Sequence, residues 1–201
     1  MHELEFNTDR LISWQDKALV EEKINGKIYL MARPSVDHMR VQGNICAIFE
    51  NYFRRTGRNC EALFETQLDI GENYVVPDVM VLCYNQQDDD RIPVIIIEVL
   101  SKSTRTKDLR EKMALYAALG VREYWIADYT NLSLDIYVLD ETAGYYKAHA
   151  SYSYFLESDF PKNKQQRSEA EAEVIKEFTP VLFPELVIKV EDVFYRVIPK
   201  Q

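Results

Sequence analysis

Apolar residues recur at two different spacings along the chain, and these spacings predict where helices and strands lie. Helical spacing begins after Pro34-Ser35-Val36-Asp37 and continues to Tyr52, and Gly57 follows in the position of a C-cap. A second helix is predicted over residues 103–119, and a weaker helix-like pattern covers residues 9–24. The chain is therefore expected to contain at least one long amphipathic helix with an apolar face to bury.

Short apolar segments separated by turn residues predict the sheet that such a helix covers. Residues 74–83 and 93–100 are almost continuously apolar, which indicates strands buried on both faces, and the short polar loop between them predicts an antiparallel pair. Asn25-Gly26 predicts a hairpin turn between two short strands. Further strands are predicted at residues 62–70, 121–127, 132–139, 145–154 and, with a short helix, 182–195. These elements together predict a mixed α/β fold around a central sheet.

The segment 157–177 departs from this pattern because it is polar throughout. Four acids lie between Glu169 and Glu177, and such a charge run is typical of a solvated face, so we expect a surface excursion or a loose helix. The whole chain has the composition of an ordinary soluble globular protein, with 47% hydrophobic and 28% charged residues. Its length of 201 residues predicts a single domain over 1–201.

The net charge argues against one class of nucleic-acid-binding surface. Thirty-three acids against 24 bases give a formal charge of −9, and the pI is near 4.9. A body of this charge does not form a general basic sleeve for DNA or for anionic lipid, although a small basic or metal-charged cleft remains compatible with it. The chain has no P-loop and no GxGxxG, so we expect no nucleotide cofactor. It also has no apolar run near the roughly 20 residues that span a bilayer, so we expect no membrane partner.

The cysteines bear on the cellular compartment. Cys46, Cys60 and Cys83 are an odd number without regular spacing or a CxxC pair, which predicts neither a disulfide scaffold nor a cysteine-based zinc site. Residues 1–15 are polar and acidic and lack the pattern of a signal peptide. We therefore expect a cytoplasmic protein.

Two carboxylates lie within the predicted buried strands, where acids are rare. Either Asp78 or Glu98 alone is consistent with a solvated strand end. A symmetric loop over 84–92, however, would place Asp78 directly opposite Glu98 with Cβ atoms about 4.5–5.5 Å apart. Two carboxylates at that distance repel unless a proton or a cation lies between them, so the pair predicts a Mg²⁺ site, with Mn²⁺ as the alternative ion. A shift of one residue in the loop would put the acids on opposite faces.

The segment after Glu98 has the opposite charge to the rest of the chain. Between Ser101 and Lys112 five bases stand against two acids. The spacing of Asp108, Lys112 and Tyr116 places these three side chains on one side of the predicted helix. An exposed Asp–Lys pair of little energetic value is one interpretation. Beside a carboxylate pair, the alternative is a lysine that contacts a metal-bound water or a phosphate.

The same residues form an ordered set that resembles the Uma2 family of predicted endonucleases, which is assigned to the PD-(D/E)xK superfamily. The resemblance covers nearly the whole chain except 157–177. It consists of Pro77-Asp78, Ile97-Glu98-Val99-Leu100-Ser101-Lys102-Ser103-Thr104, Asp108 to Tyr116 and Gly120 to Asp128, with Glu22 to Gly26, Pro34 to His38 and Phe183 to Leu186 outside the centre.

The resemblance implies a restriction-endonuclease-like α/β core, with a central mixed sheet, an antiparallel meander and flanking helices. It implies that Asp78 and Glu98 hold the metal with the help of the Val99 backbone carbonyl. The superfamily pattern requires a lysine two residues after Glu98, where this chain has Leu100. In the Uma2 pattern this lysine lies on the following helix, which points to Lys112.

Other matching residues are second-rank candidates. Lys102 and Lys107 are alternatives for the catalytic lysine, and with Arg105 they are also candidates for contacting DNA. Supporting roles are expected for Glu22, His38, Asp108 and Tyr116. For His38, which lies in the first turn of a helix, a role in capping or packing is an equally ordinary interpretation.

The predicted activity is metal-dependent hydrolysis of DNA phosphodiester bonds by Asp78, Glu98 and Lys112. Because an acidic body binds DNA weakly, specificity or affinity is expected to come from a dimer or another partner, and we expect a homodimer. One alternative is a nuclease fold without activity that binds DNA or protein, which the lysine missing at position 100 favours mildly. Another is a metal-dependent hydrolase of small phosphodiesters.

Overall fold

The fold is taken from a computed structural model that describes residues 21–31, 33–84, 92–100 and 105–197, with the Arg105 side chain excepted. Residue 102, the centre of the 84–92 loop and most of the helix predicted over 9–24 lie outside the described residues. The final residues of that predicted helix form a strand instead.

Twelve strands and four helices make up the described chain. The strands are β1 Glu21–Ile24, β2 Lys27–Leu30, β3 Cys60–Phe64, β4 Leu68–Ile70, β5 Asn73–Val75, β6 Val79–Cys83, β7 Ile95–Val99, β8 Glu123–Asp128, β9 Ser133–Asp140, β10 Tyr145–Ser153, β11 Glu177–Phe178 and β12 Ile188–Lys189. The helices are α1 Val36–Thr56, α2 formed by Arg105–Lys107, Asp108–Lys112 and Met113–Leu119, α3 Lys164–Glu173 and α4 Val190–Val193.

A six-stranded mixed sheet forms the centre, in the order β10-β9-β8-β7-β6-β3. Only β7 and β8 are parallel within it, because α2 carries the chain back between them, and every other neighbouring pair is antiparallel. A smaller antiparallel sheet has the order β2-β1-β5-β4, and β11 pairs with β12. The predicted fold class, a mixed α/β domain with an antiparallel meander and flanking helices, is confirmed.

The middle strands of the central sheet, β6, β7 and β8, are buried on both faces, as the continuous apolar runs predicted for β6 and β7. Alternate residues of β6 and β7, such as Val81 and Ile97, pack toward α1 and the C-terminal segment. Their neighbours, such as Met80 and Ile96, pack toward α2 and the small sheet. Because β7 is buried along its whole length, any acid in it needs a partner inside the protein.

Two of the predicted strands, residues 62–70 and residues 74–83, are each split between the two sheets. The segment 62–70 breaks at Glu65, whose φ is 46°, so that β3 joins the central sheet and β4 the small one. The segment 74–83 breaks at Val76-Pro77-Asp78, because Pro77 has no N–H to continue a ladder. Asp78 is therefore the residue at which the chain enters the central sheet.

The predicted boundaries of α1 and the predicted hairpin turn agree with the structure. Ser35 caps α1 by accepting a hydrogen bond from the His38 N–H at 3.2 Å, and Gly57 ends the helix with φ of 67°. Asn25 and Gly26 have φ of 51° and 78°, as a tight hairpin turn requires. In the segment 157–177, a 3₁₀ turn at Glu157–Asp159 leads into α3, which buries no residue.

A disulfide joins two neighbouring strands of the central sheet. Cys60 on β3 lies directly opposite Cys83 on β6, and their sulfur atoms are bonded, whereas Cys46 on α1 is a buried free thiol. The number and spacing of the cysteines did not predict this bond, because it follows from strand register. The cysteine count therefore no longer supports a reducing compartment. Among the described residues, no helix is long and apolar enough to cross a membrane.

Removing this disulfide should destabilise the protein measurably. We expect the Cys60→Ala/Cys83→Ala double variant to lose about 3 kcal/mol of unfolding free energy under oxidising conditions, because the bond closes a loop with a sequence separation of 23. Urea unfolding with and without reductant measures the loss, and Cys46→Ala is the control that keeps the bond. Wild-type curves that do not respond to reductant would contradict the expectation.

Candidate active site

Asp78 and Glu98 lie next to each other at one end of the β6–β7 pair. The last ladder pair is Val79 with Ile97, so Asp78 and Glu98 are the next residues in the same register. The predicted alignment of the two acids is therefore confirmed. The Val99 N–H donates a hydrogen bond of 2.6 Å to Oδ2 of Asp78, which fixes this carboxylate against β7.

The first turns of α1 hold Asp78 from the other side. His38 Nε2 lies 3.3 Å from Oδ2 of Asp78, and the Gln42 side chain donates to the Asp78 backbone carbonyl at 2.8 Å. Burial alone would lower the pKa of His38, but the Asp78 carboxylate and the Val99 carbonyl outweigh it and raise the pKa. His38 therefore both takes part in the helix cap through its backbone and contacts a candidate metal ligand through its ring.

Glu98 is almost completely buried and is bound by two residues of α2. Its Oε1 accepts hydrogen bonds from Lys112 Nζ and from the Tyr116 hydroxyl, each at 2.8 Å. Burial raises the pKa of Glu98 well above its usual range. Lys112 opposes that shift, while the nearby Asp108 and Asp78 add to it. Two of the three α2 residues predicted to share one side of the helix, Lys112 and Tyr116, thus bind the Glu98 carboxylate.

Lys112 is a fully buried lysine between two carboxylates. Its Nζ lies 2.8 Å from Oε1 of Glu98 and 2.8 Å from Oε1 of Glu22, and Oδ1 of Asp108 is 3.8 Å away. Burial alone would lower the pKa of Lys112, but the surrounding carboxylates raise it, so the amine stays charged. The interpretation of an exposed Asp–Lys pair is therefore wrong, since Lys112 is 0% exposed.

A turn of π-helix shapes the part of α2 that carries this lysine. Residues Asp108–Lys112 are π-helical, and the Tyr124 hydroxyl donates to the Asp108 backbone carbonyl at 3.0 Å. A π-turn brings residues five apart toward one another, and such turns are frequent at functional sites. Lys107 and Lys112 accordingly reach the same carboxylate, that of Glu22, through opposite oxygens.

Of the three candidates for DNA contact, the structure describes the side chain of Lys107 alone. Lys107 is 7% exposed, is bonded to Glu22 and has its Nζ 5.4 Å from the centre of the Tyr29 ring, so it does not stand out as a surface cation. Lys102 and the side chain of Arg105 lie outside the described residues. Their assignment to DNA contact stays a prediction.

The donor set at this edge suits a hard divalent cation that keeps some of its waters. The described residues contain no cluster of three or more His, Cys, Asp or Glu side chains arranged to hold a metal. Two carboxylates and the Val99 carbonyl would form the protein part of the ligand set, which is the sparse oxygen coordination that Mg²⁺ accepts. The contacts described above use one oxygen of each acid, Oδ2 of Asp78 and Oε1 of Glu98.

The charge of the buried groups also favours a cation. Four buried acids stand against two lysines, and the raised pKa of Glu98 shows that ionising all four acids together is unfavourable without a further positive charge. The buried acids are Glu22, Asp78, Glu98 and Asp108, and the lysines are Lys107 and Lys112. Because unpaired buried charge is expensive, one divalent cation would balance this cluster.

Sequence reasoning did not single out three of the described buried polar residues, which are Gln42, Glu123 and Asp128. Gln42 lies on the apolar stripe of α1, one turn after His38, and its position in that stripe was a usable signal. Glu123 on β8 is buried away from the candidate site, where its carboxylate accepts hydrogen bonds from Trp125 Nε1 at 2.9 Å and the Leu182 N–H at 2.6 Å. Burial raises the pKa of Glu123, and the residue anchors the C-terminal segment.

The contact between His38 and Asp78 predicts a measurable titration. In metal-free protein, Asp78→Asn should lower the pKa of His38, because the carboxylate that raises it is gone. The wild-type pair stabilises the fold below the ordinary histidine pKa and loses that contribution as the pH rises through the raised value. NMR of the imidazole signals measures this, with His149 as the internal reference. An unchanged His38 titration in Asp78→Asn would contradict the pairing.

Comparisons with known proteins show the family and the fold of this chain. Residues 9–190 match the Uma2 family model, which is described as "Putative restriction endonuclease". An uncharacterized protein of Synechocystis sp. (strain PCC 6803) is 27% identical over 138 residues, which is 64% of this chain and 72% of that protein.

A crystal structure of a "putative nuclease belonging to DUF820" from Anabaena variabilis ATCC 29413 superimposes with a TM-score of 0.63 at 15% identity. The match covers 96% of this chain and 99% of the other, so the two chains share a fold. Because the family model spans most of the sequence, the chain belongs to the Uma2 family.

Proposed function

We propose that this protein is a Mg²⁺-dependent endonuclease that hydrolyses phosphodiester bonds in DNA. The observation that carries the proposal is the placement of Asp78 beside Glu98, with the charged Lys112 bound to Glu98. The family description and the shared fold with a protein described as a nuclease support the same reaction class. The electrostatic excess of acid at this edge supports the need for a cation.

Each candidate residue has a definite task in this proposal. Asp78, Glu98 and the Val99 carbonyl would hold the cation, which when bound polarises the phosphodiester and lowers the pKa of a water. His38 and the Val99 N–H fix the Asp78 carboxylate from two directions. Lys112 and Tyr116 fix the Glu98 carboxylate. In this proposal the Lys112 ammonium also offsets the negative charge that develops on the phosphate oxygens.

The net charge of −9 limits how the protein would bind DNA. An acidic surface repels the phosphate backbone, so affinity must come from a local cluster or from a second subunit. We propose that Lys102 and Arg105, which follow β7 closely in sequence, supply the local contacts. A homodimer would supply a second set of these contacts to DNA.

Metal binding tests the ligand assignment without requiring activity. We expect calorimetric titration to show Mn²⁺ or Mg²⁺ binding to the wild type, and Asp78→Asn and Glu98→Gln to lose it because each removes a ligand charge. Glu123→Gln is the matched control, since it also neutralises a buried glutamate of the same sheet but lies away from the site. Equal loss of metal binding in Glu123→Gln would show that the effect arises from the fold alone.

Cleavage of supercoiled plasmid DNA tests the reaction. Wild-type protein should nick the plasmid with Mg²⁺ and not with a chelator. Asp78→Asn should reduce the rate by more than the roughly 10- to 100-fold that loss of an outer-shell partner causes. Metal binding without cleavage would favour an inactive DNA- or protein-binding module. Hydrolysis of model phosphodiesters without DNA cleavage would favour a small-molecule hydrolase.

A further inference from the structure

Glu22 is a buried acid that reaches the candidate site from outside the central sheet. It lies on β1 of the small sheet, and its side chain is 0% exposed. Burying a glutamate at such a position costs free energy unless several donors form hydrogen bonds with its carboxylate. The identity of those donors indicates what the residue does.

Three donors bind the Glu22 carboxylate, and each comes from a segment that matters to the site. Oε1 accepts a hydrogen bond from the Val76 N–H at 2.9 Å and lies 2.8 Å from Lys112 Nζ. Oε2 is bonded to the ammonium of Lys107. Glu22 thus joins α2 to the strand connection that leads into the central sheet.

The bond to Val76 ties Glu22 to the segment that carries Asp78. Val76 is two residues before Asp78, and Pro77 between them has no N–H. The Val76 N–H is therefore the last main-chain donor before the candidate metal ligand. Through Lys112, the same carboxylate is linked to Glu98. Glu22 thus contacts both the Asp78 segment and the lysine bound to Glu98.

The π-turn of α2 makes the double lysine contact possible. Lys107 and Lys112 are five residues apart, and in an α-helix their side chains would point in different directions. The π-turn between them brings both side chains to Glu22. Lys107 occupies Oε2 and balances the Glu22 charge. Lys112 consequently binds only Oε1 of Glu22 and still reaches Glu98.

Stability alone does not account for this arrangement. Replacing buried ion pairs by apolar residues of similar volume is often neutral or stabilising, so a buried network of two lysines and two glutamates is weak evidence for a structural purpose. A role in fixing the direction of one ammonium group explains why three donors converge on Glu22 at this point of the fold.

We propose that Glu22 is a positioning residue for the reaction: it orients the Lys112 ammonium toward Glu98 and the scissile phosphate, with Lys107 as its own counter-ion. This inference rests on the proposed nuclease function. It assigns Lys107 to the interior support of the site and leaves DNA contact to other bases.

The test is Glu22→Gln, which keeps the side-chain length and an acceptor for the Val76 N–H but removes the charge that holds Lys112. Steady-state cleavage of plasmid DNA should show a kcat about 10- to 100-fold lower, as for other outer-shell partners. KM and the Mn²⁺ affinity from calorimetry should change far less than kcat. Glu21→Gln, an exposed neighbour on β1 that bonds Tyr74, is the matched control and should cleave normally.

A second comparison separates positioning from general damage to the fold. If Glu22 acts through its lysines, Lys107→Met should also lower kcat, and the Glu22→Gln/Lys107→Met double variant should lose little more than Glu22→Gln alone. Independent, multiplicative losses would overturn the inference. Thermal unfolding of each variant confirms that folded protein is compared, and Lys107→Met keeps the test available if Glu22→Gln does not fold.

The outcomes for the inference and for the proposed function are distinct. A wild-type protein with no metal-dependent cleavage refutes the proposed function, whatever Glu22 does. A wild-type protein that cleaves DNA while Glu22→Gln retains full kcat overturns the inference alone. Loss of Mn²⁺ affinity in proportion to the loss of kcat would also overturn it, because the effect would then pass through the cation and not through Lys112.

Discussion

The contact on which the rest of the site depends is the buried Lys112 ammonium between Glu22 and Glu98. Without this cation, two glutamates would face one another in an interior where neither is solvated. The lysine, in turn, is placed by α2, whose π-turn is held by Tyr124. One charge therefore links the small sheet, the central sheet and the helix that packs against both.

The metal-ligand candidates could be located from the sequence because their geometry depends on local rules. A symmetric loop fixes the register of two antiparallel strands, and that register alone put Asp78 beside Glu98. The side of α2 that carries Lys112 and Tyr116 followed from helical spacing. The sequence shows Pro77, which interrupts a strand. The residues on both sides of it are apolar, so the sequence did not indicate that the chain passes from one sheet to the other there.

The remaining features depend on contacts between distant segments. The π-turn is held by a tyrosine of β8 and cannot be read from residues 108–112 alone. Burial of Lys107 requires β1 and β2 to lie over α2, which periodicity does not reveal. The Cys60–Cys83 bond likewise depends on pairing between strands that are not consecutive. No local pattern in the sequence marks these positions.

The attachment of Asp78 to α1 has a consequence for ligand binding. Within about one helical turn, Gln42 holds the main chain of Asp78 and His38 holds its carboxylate, while Pro77 restricts the backbone just before it. The aspartate cannot turn without breaking contacts to a helix of 21 residues. Conformational entropy of this residue is therefore lost when the chain folds, and the proposed cation would meet a carboxylate that is already oriented.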